Sequence, residues 1–332
     1  MHTLKLFLDS GNDSIKWLTV NEFNRLSEPA AIRSIRASIT EGNAIVGRVS
    51  NQTPVLELNG KTYHYGTAAY DYAMVHHIAK GDKASEILPN CLACIKPPKS
   101  EFKIQLVTSH PDPDGYRERL TGELEGSHRF TRNKEKAIAH IKGADIQVEQ
   151  EGIGSWYYAQ SKGLIPETGL TIIIDIGGAT VISLLVKADG TIIDYDRNAN
   201  DKTGALGLAQ LVAKDKRLTS KLQGRVEPGL ILDGFADGSH YYGDQFEASW
   251  KDWLDDYRKP WYRNILETAA ARYSSHFGRV RRILITGGSS LLVGDLGTTE
   301  GIAKFCPDGR FANVQGLAIK HAPSAKEAKA AS

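Results

Sequence analysis

Residues 171–182 read TIIIDIGGATVI, and residues 4–16 read LKLFLDSGNDSIK. Each is an apolar, strand-forming run that ends in Asp, one further residue and Gly, with small or hydroxyl residues beyond. Apolar and β-branched residues suit a pleated, half-buried surface, and Asp and Gly dominate tight turns, so both stretches predict a strand running into a hairpin. Asp9 and Asp175 are too far apart in sequence for one binding loop, and their separation suits two halves of a duplicated fold. A third glycine segment, ILITGGSSLLV at residues 283–293, ends another apolar run.

The chemistry of these loops points to phosphate. A phosphate cradle needs backbone N–H groups aimed inward and residues that permit close approach. Gly11, Gly177 and Gly178 supply that freedom, and Ser10, Asn12, Ser14 and Thr180 add side-chain donors. Lys16 brings a point charge to the far end of the first hairpin. Asp9 and Asp175 would repel phosphate directly, so a bridging cation is required, and Mg²⁺ with its retained waters fits two carboxylates and a phosphate. One Asp-x-Gly after a strand is an ordinary turn; two copies plus a third glycine segment favour the phosphate reading. Neither G-x-x-x-x-G-K-[ST] nor a strand leading into G-x-G-x-x-G occurs.

At 332 residues two domains are expected. Hydrophobic content of 41% and charged content of 24% are those of an ordinary globular protein, and a net charge of +2 argues neither for nucleic acid nor for a membrane surface. No run of 18 apolar residues and no signal-peptide pattern occurs, and three cysteines cannot frame a disulfide scaffold, so a cytoplasmic setting is expected. Cys91 and Cys94 form a lone C-x-x-C, read as ordinary thiols with a metal or redox role as the lesser alternative.

Along the chain, AIVGRV and VLELNGKTYHYG read as strands, the second with an Asn59-Gly60 hairpin. TAAYDYAMVHHIAK has helical spacing. EFKIQLVTSHP predicts a strand, DPDGYRERLTGELEG a turn and helix, ADIQVEQEG a strand and GSWYYAQSKG a helix. TIIIDIGG, TVISLLVKADG and TIIDYDRNA predict a meander that turns at Asp189-Gly190. GALGLAQLVAKDKRL and residues 247–277 predict helices, the latter broken at Pro260, and SAKEAKAAS a frayed tail. The outcome is two α/β domains with mixed sheets.

DSGNDSIK, DIGGAT and ITGGSSLL, in that order, resemble the two phosphate loops and the adenosine loop of the actin superfamily of ATPases. VTSHPDPDGYRERLTGELEGSHRF and FANVQG are similar to stretches of the bacterial and plasmid actin-like proteins of the ParM type. The resemblance runs over roughly residues 4–320. It implies an actin-like fold: two similar α/β domains around an interdomain nucleotide cleft, domain I at 1–168 and domain II at 169–322, with insertions near 30–85 and 205–275 and a tail at 323–332. It implies ATP or ADP with Mg²⁺ as ligands. Asp9 would act on the metal through water; Ser10, Gly11, Asn12 and Lys16 would hold the β- and γ-phosphates. Asp175, also a metal contact through water, would close over the phosphates with Gly177, Gly178 and Thr180. Gly287, Gly288 and Ser289 would meet the adenosine. Glu151 falls where the family orients the attacking water, beside the plainer reading of an acid at a helix N-terminus. Two positions depart from the pattern: Asp13 stands where a small residue is usual, and Ile182 where the ParM-like loop carries Asp.

The function this implies is an ATPase whose nucleotide state controls self-assembly into filaments. The cargo would be plasmid or other DNA, held through an adaptor protein, with no direct nucleic-acid contact and no membrane. A small-molecule kinase of the same superfamily is the alternative, with Asp112 or Asp114 as base, and a nucleotide-binding scaffold with little turnover is a third.

Overall fold

The structure, a computed structural model, describes residues 1–11, 14–40, 50–51, 53–71, 75–77, 83–196, 203–224, 226–294, 296 and 301–321. The chain divides into two compact units, Met1–Tyr158 with the chain from Asn313 onward, and Ala159–Ala312. These divisions fall at 158/159 and 312/313, against the 168/169 boundary taken from the sequence.

The first unit is built on strands β1 (His2–Ser10), β2 (Ser14–Val20), β3 (Ala30–Arg33), β4 (Ile35–Thr40), β5 (Val55–Leu58), β6 (Lys61–Tyr65) and β7 (Val75–His77). Helix α1 (Lys83–Cys94), β8 (Glu101–His110), α2 (Pro113–Leu124), β9 (Gly126–Arg132), β10 (Glu135–Gln150) and α3 (Ile153–Ser161) follow. The ten strands make one sheet in the order β3-β2-β1-β8-β10-β9-β5-β6-β4-β7. β1, β8 and β10 run parallel, each crossover carrying a helix, while the hairpins pair antiparallel. The mixed sheet follows from that alternation of tight turns and helical crossovers. α1 and α2 pack on the sheet, where Ile87, Leu92, Leu120 and Leu124 join Leu6, Leu8, Ile104 and Ile146 in one buried cluster.

The second unit opens with β11 (Leu170–Ile176), β12 (Val181–Lys187) and β13 (Ile192–Tyr195). Helices α4 (Ala205–Ala213), α5 (Lys216–Leu222) and α6 (Pro228–Ala236), a hairpin of β14 (Tyr241–Tyr242) and β15 (Gln245–Ser249), and α7 (Asp255–Arg272) come next. β16 (Val280–Thr286) and β17 (Ala303–Phe305) complete a five-stranded sheet in the order β13-β12-β11-β16-β17. β11 lies parallel to β16 and antiparallel to β12. Its run Leu170–Ile174 is buried throughout, as a central strand covered on both faces requires. The last helix, α8 (Ala312–His321), belongs almost wholly to the first unit.

Four expectations change. The described residues of the expected helix at 67–80 are not α-helical: a 3-10 turn covers Gly66–Asp71, and Val75–His77 pairs with β4, because a sheet edge offered backbone partners that local spacing cannot foresee. Pro260 does not break its helix. α7 runs through it, since the proline forgoes one backbone bond while Trp261, Tyr262, Ile265 and Ala269 are buried on one side. Glu247–Ser249 belongs to β15. The helix expected from Gly204 onward is two, parted where the Asp215 side chain caps α5 by accepting from the Arg217 N–H at 2.6 Å. AIVGRV, SAKEAKAAS, Asn12 and Asp13 lie outside the described residues.

α1 and β9 were not anticipated. α1 carries Pro89, and its Cys91 and Cys94 are buried in the core; burial pushes both thiols well above their ordinary range.

α3 and α8 touch backbone to backbone. A Cβ on Gly316 would fall on the Gly154 carbonyl, and one on Gly154 on Asn313. Gly316→Ala is therefore expected to lower stability by about 1–3 kcal/mol, the usual cost of overpacking, seen as a lower urea midpoint at unchanged slope.

Glu149 ties the end of α8 to β10: its Oε1 lies 2.7 Å from His321 Nε2, and its Oε2 accepts from Lys320 Nζ at 2.7 Å. Burial opposes the carboxylate charge, but the hydrogen bonds from His321 and Lys320 outweigh it and hold this carboxyl below its usual range. A lowered folded-state value stabilises the protein above the unfolded value and is lost as pH falls through the folded one. Glu149→Gln is expected to cost about 1–2 kcal/mol at pH 7, with the gap to wild type closing as pH falls below about 4.5 in pH-dependent urea melts.

Candidate functional site

The second glycine loop follows β11. Asp175 is the penultimate residue of that strand, opposite Ile182 on β12 and Thr286 on β16. Beyond it, three consecutive carbonyls are bound by the start of α4: the N–H groups of Ala205, Leu206 and Gly204 donate to the oxygens of Gly177 (3.2 Å), Gly178 (2.7 Å) and Ala179 (3.2 Å). A helix N-terminus carries such unsatisfied donors, and here the loop caps them. In a trans peptide the N–H lies opposite the C=O of the same plane. With those carbonyls turned onto α4, the N–H groups of Gly178, Ala179 and Thr180 face away from it, and none donates to a described residue. Three successive N–H groups pointing one way form an anion nest.

The surroundings brace this geometry. The Gly177 N–H donates to Thr180 O at 2.8 Å, and the Val181 N–H to Thr203 Oγ1 at 3.2 Å. Trp261 Nε1 in turn donates to Thr203 O at 2.8 Å. A Cβ on Gly204 would strike the Gly177 carbonyl and the Thr180 nitrogen, so the helix start meets the loop only through a glycine.

The third glycine segment reaches the same loop. Ser289 donates its N–H to Ile176 O at 2.9 Å and its Oγ to Gly177 O at 3.1 Å. Gly287 has φ +95°, and a Cβ there would fall on Asp175 Oδ1 and the Ile176 backbone. Gly287 and Ser289 are thus brought beside Asp175 and Gly177. Burial pushes the nearby Cys306 thiol up to about 12; the charge of Asp175 adds to this and a Thr286 hydrogen bond opposes it. Ile182 is buried directly across from Asp175, so the cross-strand neighbour of this carboxylate is apolar.

In the first unit, Asp9 on β1 stands opposite Lys16 on β2, and Lys16 Nζ donates to Asp9 Oδ2 at 3.2 Å. The side chains are largely shielded, with 16% and 12% exposure, so this pair is not a loose surface contact. Ser10 Oγ accepts from Asn90 Nδ2 at 3.1 Å, and Asn90 Oδ1 accepts from Tyr65 Oη at 3.1 Å. The Gly11 carbonyl accepts from Ser34 Oγ at 2.5 Å, and a Cβ on Gly11 would meet Ser14 O at 2.7 Å. Ser10 and Gly11 are therefore held from beneath by buried polar groups. Asn12 lies outside the described residues.

Glu151 sits between β10 and α3, two residues before the helix, with its N–H donating to His110 O at 3.1 Å and Gly152 at φ +88° behind it. Asp112 and Asp114 are exposed at the start of α2. Among the described residues no three His, Cys, Asp or Glu side chains gather to hold a metal.

Asn90, Ser34, Thr203 and Gly204 were not singled out by the sequence. Only Gly204, a glycine immediately before an apolar helical run, carried a readable cue.

No protein-family model matches the chain, and no curated protein matches it in sequence. Solved structures do. An archaeal actin homologue in complex with ADP superposes with a TM-score of 0.71 at 17% identity, covering 94% of this chain and 97% of that one. A 15-stranded ParM filament from Clostridium botulinum gives 0.71 at 18% identity over 96% and 98%. Bacillus thuringiensis ParM with ATP gives 0.65 at 12% over 96% and 98%. The protein has the actin-like fold. Among the described residues, no helix is long and apolar enough to cross a membrane.

Gly204→Ala is expected to push the Gly177–Thr180 loop off α4 and scatter its N–H groups. Titration with a fluorescent ATP analogue should then show at least about a tenfold loss of affinity, the equivalent of one or two hydrogen bonds to a charged group.

Proposed function

We propose that this protein binds ATP with Mg²⁺, hydrolyses it to ADP and phosphate, and uses the nucleotide state to govern its assembly into filaments. The observation that carries this reading is the anion nest of Gly178, Ala179 and Thr180 beside Asp175. Support comes from the actin-like fold, since neighbours with that fold were solved with ADP, with ATP and as a filament.

In this reading Gly177, Gly178 and Thr180 bind phosphate through their backbone, as do Gly11 and Asn12, with Ser10 adding its hydroxyl. Lys16, already beside Asp9, turns its charge to the β-phosphate. Asp9 and Asp175 hold metal-bound water. Mg²⁺, when bound, neutralises charge on the phosphate oxygens. Gly287, Gly288 and Ser289 lie against the adenosine. Glu151 accepts a hydrogen bond from the attacking water and orients it in line with the leaving group. Catalysis of this type is positioning and charge stabilisation, so a fixed carboxylate suffices. Binding of ATP shifts the population toward the assembling form, and hydrolysis reverses that shift.

The net charge of +2 favours an adaptor over direct DNA contact for any plasmid or DNA-cargo role, in a cytoplasmic setting. The kinase alternative draws no support from Asp112 and Asp114, which sit exposed at a helix start.

Sedimentation and light scattering with ATP, ADP and a non-hydrolysable analogue, run beside phosphate release, test the reading as a whole. Pelleting with ATP and phosphate release without any added acceptor are expected; release only with an added sugar would favour a kinase. Glu151→Ala should slow phosphate release about 100-fold and prolong assemblies while leaving nucleotide affinity near wild type. Asp175→Ala should weaken Mg²⁺-dependent nucleotide binding about tenfold or more, and unchanged binding would remove it from the site.

A further inference from the structure

The first unit carries an open groove of about 690 Å³ where the β5–β6 and β9–β10 hairpins meet. Leu58 and Phe130 point away into the core, and the outer face of the groove is lined by Ile138 on β10 and Thr131 on β9. Around them stand Lys61, Arg129 and Lys136, all exposed, and none makes an ion pair with a described residue. Lys136 and Glu57 flank Thr131 from opposite sides, so one carboxylate faces three cations. In a chain of net charge +2 this is a marked local excess of positive charge.

The second unit carries a surface of opposite character. The β14–β15 hairpin turns at Gly243 (φ +58°) and Asp244, and it exposes Phe246 at 72%. The Phe246 ring packs on Tyr241 with centroids 4.7 Å apart. Asp244 and Glu247 are exposed and make no ion pair with a described residue; only the backbone oxygen of Glu247 is engaged, by Lys221 Nζ at 2.7 Å. The Tyr242 hydroxyl accepts the Glu227 N–H at 2.9 Å, and Ser249 Oγ donates to His240 O at 2.8 Å. These bonds stiffen the hairpin before it meets anything, which lowers the cost of docking it.

We propose that the groove receives the β14–β15 hairpin of a second copy of this chain. Phe246 enters against Ile138, the partly exposed apolar residue of the groove's outer face, while Asp244 and Glu247 meet Lys61, Arg129 and Lys136. An aromatic anchor ringed by complementary charge is the composition that gives both affinity and register. The two surfaces differ, so the contact is heterologous and repeats from copy to copy without self-pairing. The inference deepens the assembly reading above and rests on it.

A charge-exchange series tests it, using light scattering and sedimentation with ATP and Mg²⁺. Arg129→Glu with Lys136→Glu gives a negative groove; Asp244→Lys with Glu247→Lys gives a positive hairpin. Each double variant is expected to raise the critical concentration at least tenfold. Each should keep wild-type melting temperature and nucleotide affinity, because neither touches the glycine loops. An equimolar mixture of the two, and a single chain bearing all four changes, should recover assembly, since both pairings are again of opposite charge. Double variants that assemble like wild type would overturn the docking while leaving filament formation intact, and would give the groove to an acidic partner protein. Failure of the mixture and of the four-fold variant to recover would overturn it too. If wild type fails to assemble with any nucleotide, this contact and the assembly reading fall together, and nucleotide titration then judges the ATP reading alone.

Discussion

The capping of α4 by the carbonyls of Gly177, Gly178 and Ala179 is the constraint on which the candidate site depends. Both partners gain a satisfied backbone: the helix loses unmatched donors and the loop loses unmatched acceptors. The consequence for function follows from peptide planarity alone. Once three successive carbonyls face the helix, three successive N–H groups face away from it, and no side chain is needed to build an anion nest. Glycine is demanded on both sides of this contact, at Gly204 by the approach of the loop and at Gly287 by the approach of Asp175.

The first unit reaches a similar end by other means. Among its described residues the loop is held by side chains: Ser10 rests on Asn90, Asn90 takes the Tyr65 hydroxyl, and Gly11 takes Ser34. Asn90 is fully buried, so leaving its amide unmatched would be costly, and the polar chain fixes the loop through that demand. Asp9 and Lys16 then face each other as cross-strand neighbours, each moderating the other's charge. Elsewhere in this unit α3 and α8 meet through bare backbone at Gly154 and Gly316, which brings the end of the described chain back to its beginning.

Charge is organised locally although it nearly cancels in sum. Glu149 collects His321 and Lys320 at the end of α8, and Asp215 collects Arg217 and Tyr257 at the start of α5. These clusters are internally matched and hold helices in place. The cations of the β5–β6 groove and the acids of the β14–β15 hairpin make no ion pair with a described residue, and that difference separates a structural charge from one available to a partner.

The sequence by itself determined the strands that carry Asp9, Asp175 and Thr286 at or next to their last residue, because an apolar run followed by Asp or Thr and a nearby glycine has few other conformations. It also determined the Asn59-Gly60 hairpin, whose residues have φ of +51° and +72°, the β11–β12–β13 meander and the two-unit α/β plan with mixed sheets. Only tertiary structure decided the rest. Val75–His77 became a strand because β4 offered it an edge, and α7 passed through Pro260 because a buried face outweighed one lost bond. Asn90, Ser34, Thr203 and Gly204 entered the candidate site through distant hydrogen bonds and close approach. Local propensity is written in neighbouring residues and can be read there. Long-range partners are chosen when buried polar groups must be satisfied across the fold, and no stretch of sequence records that choice.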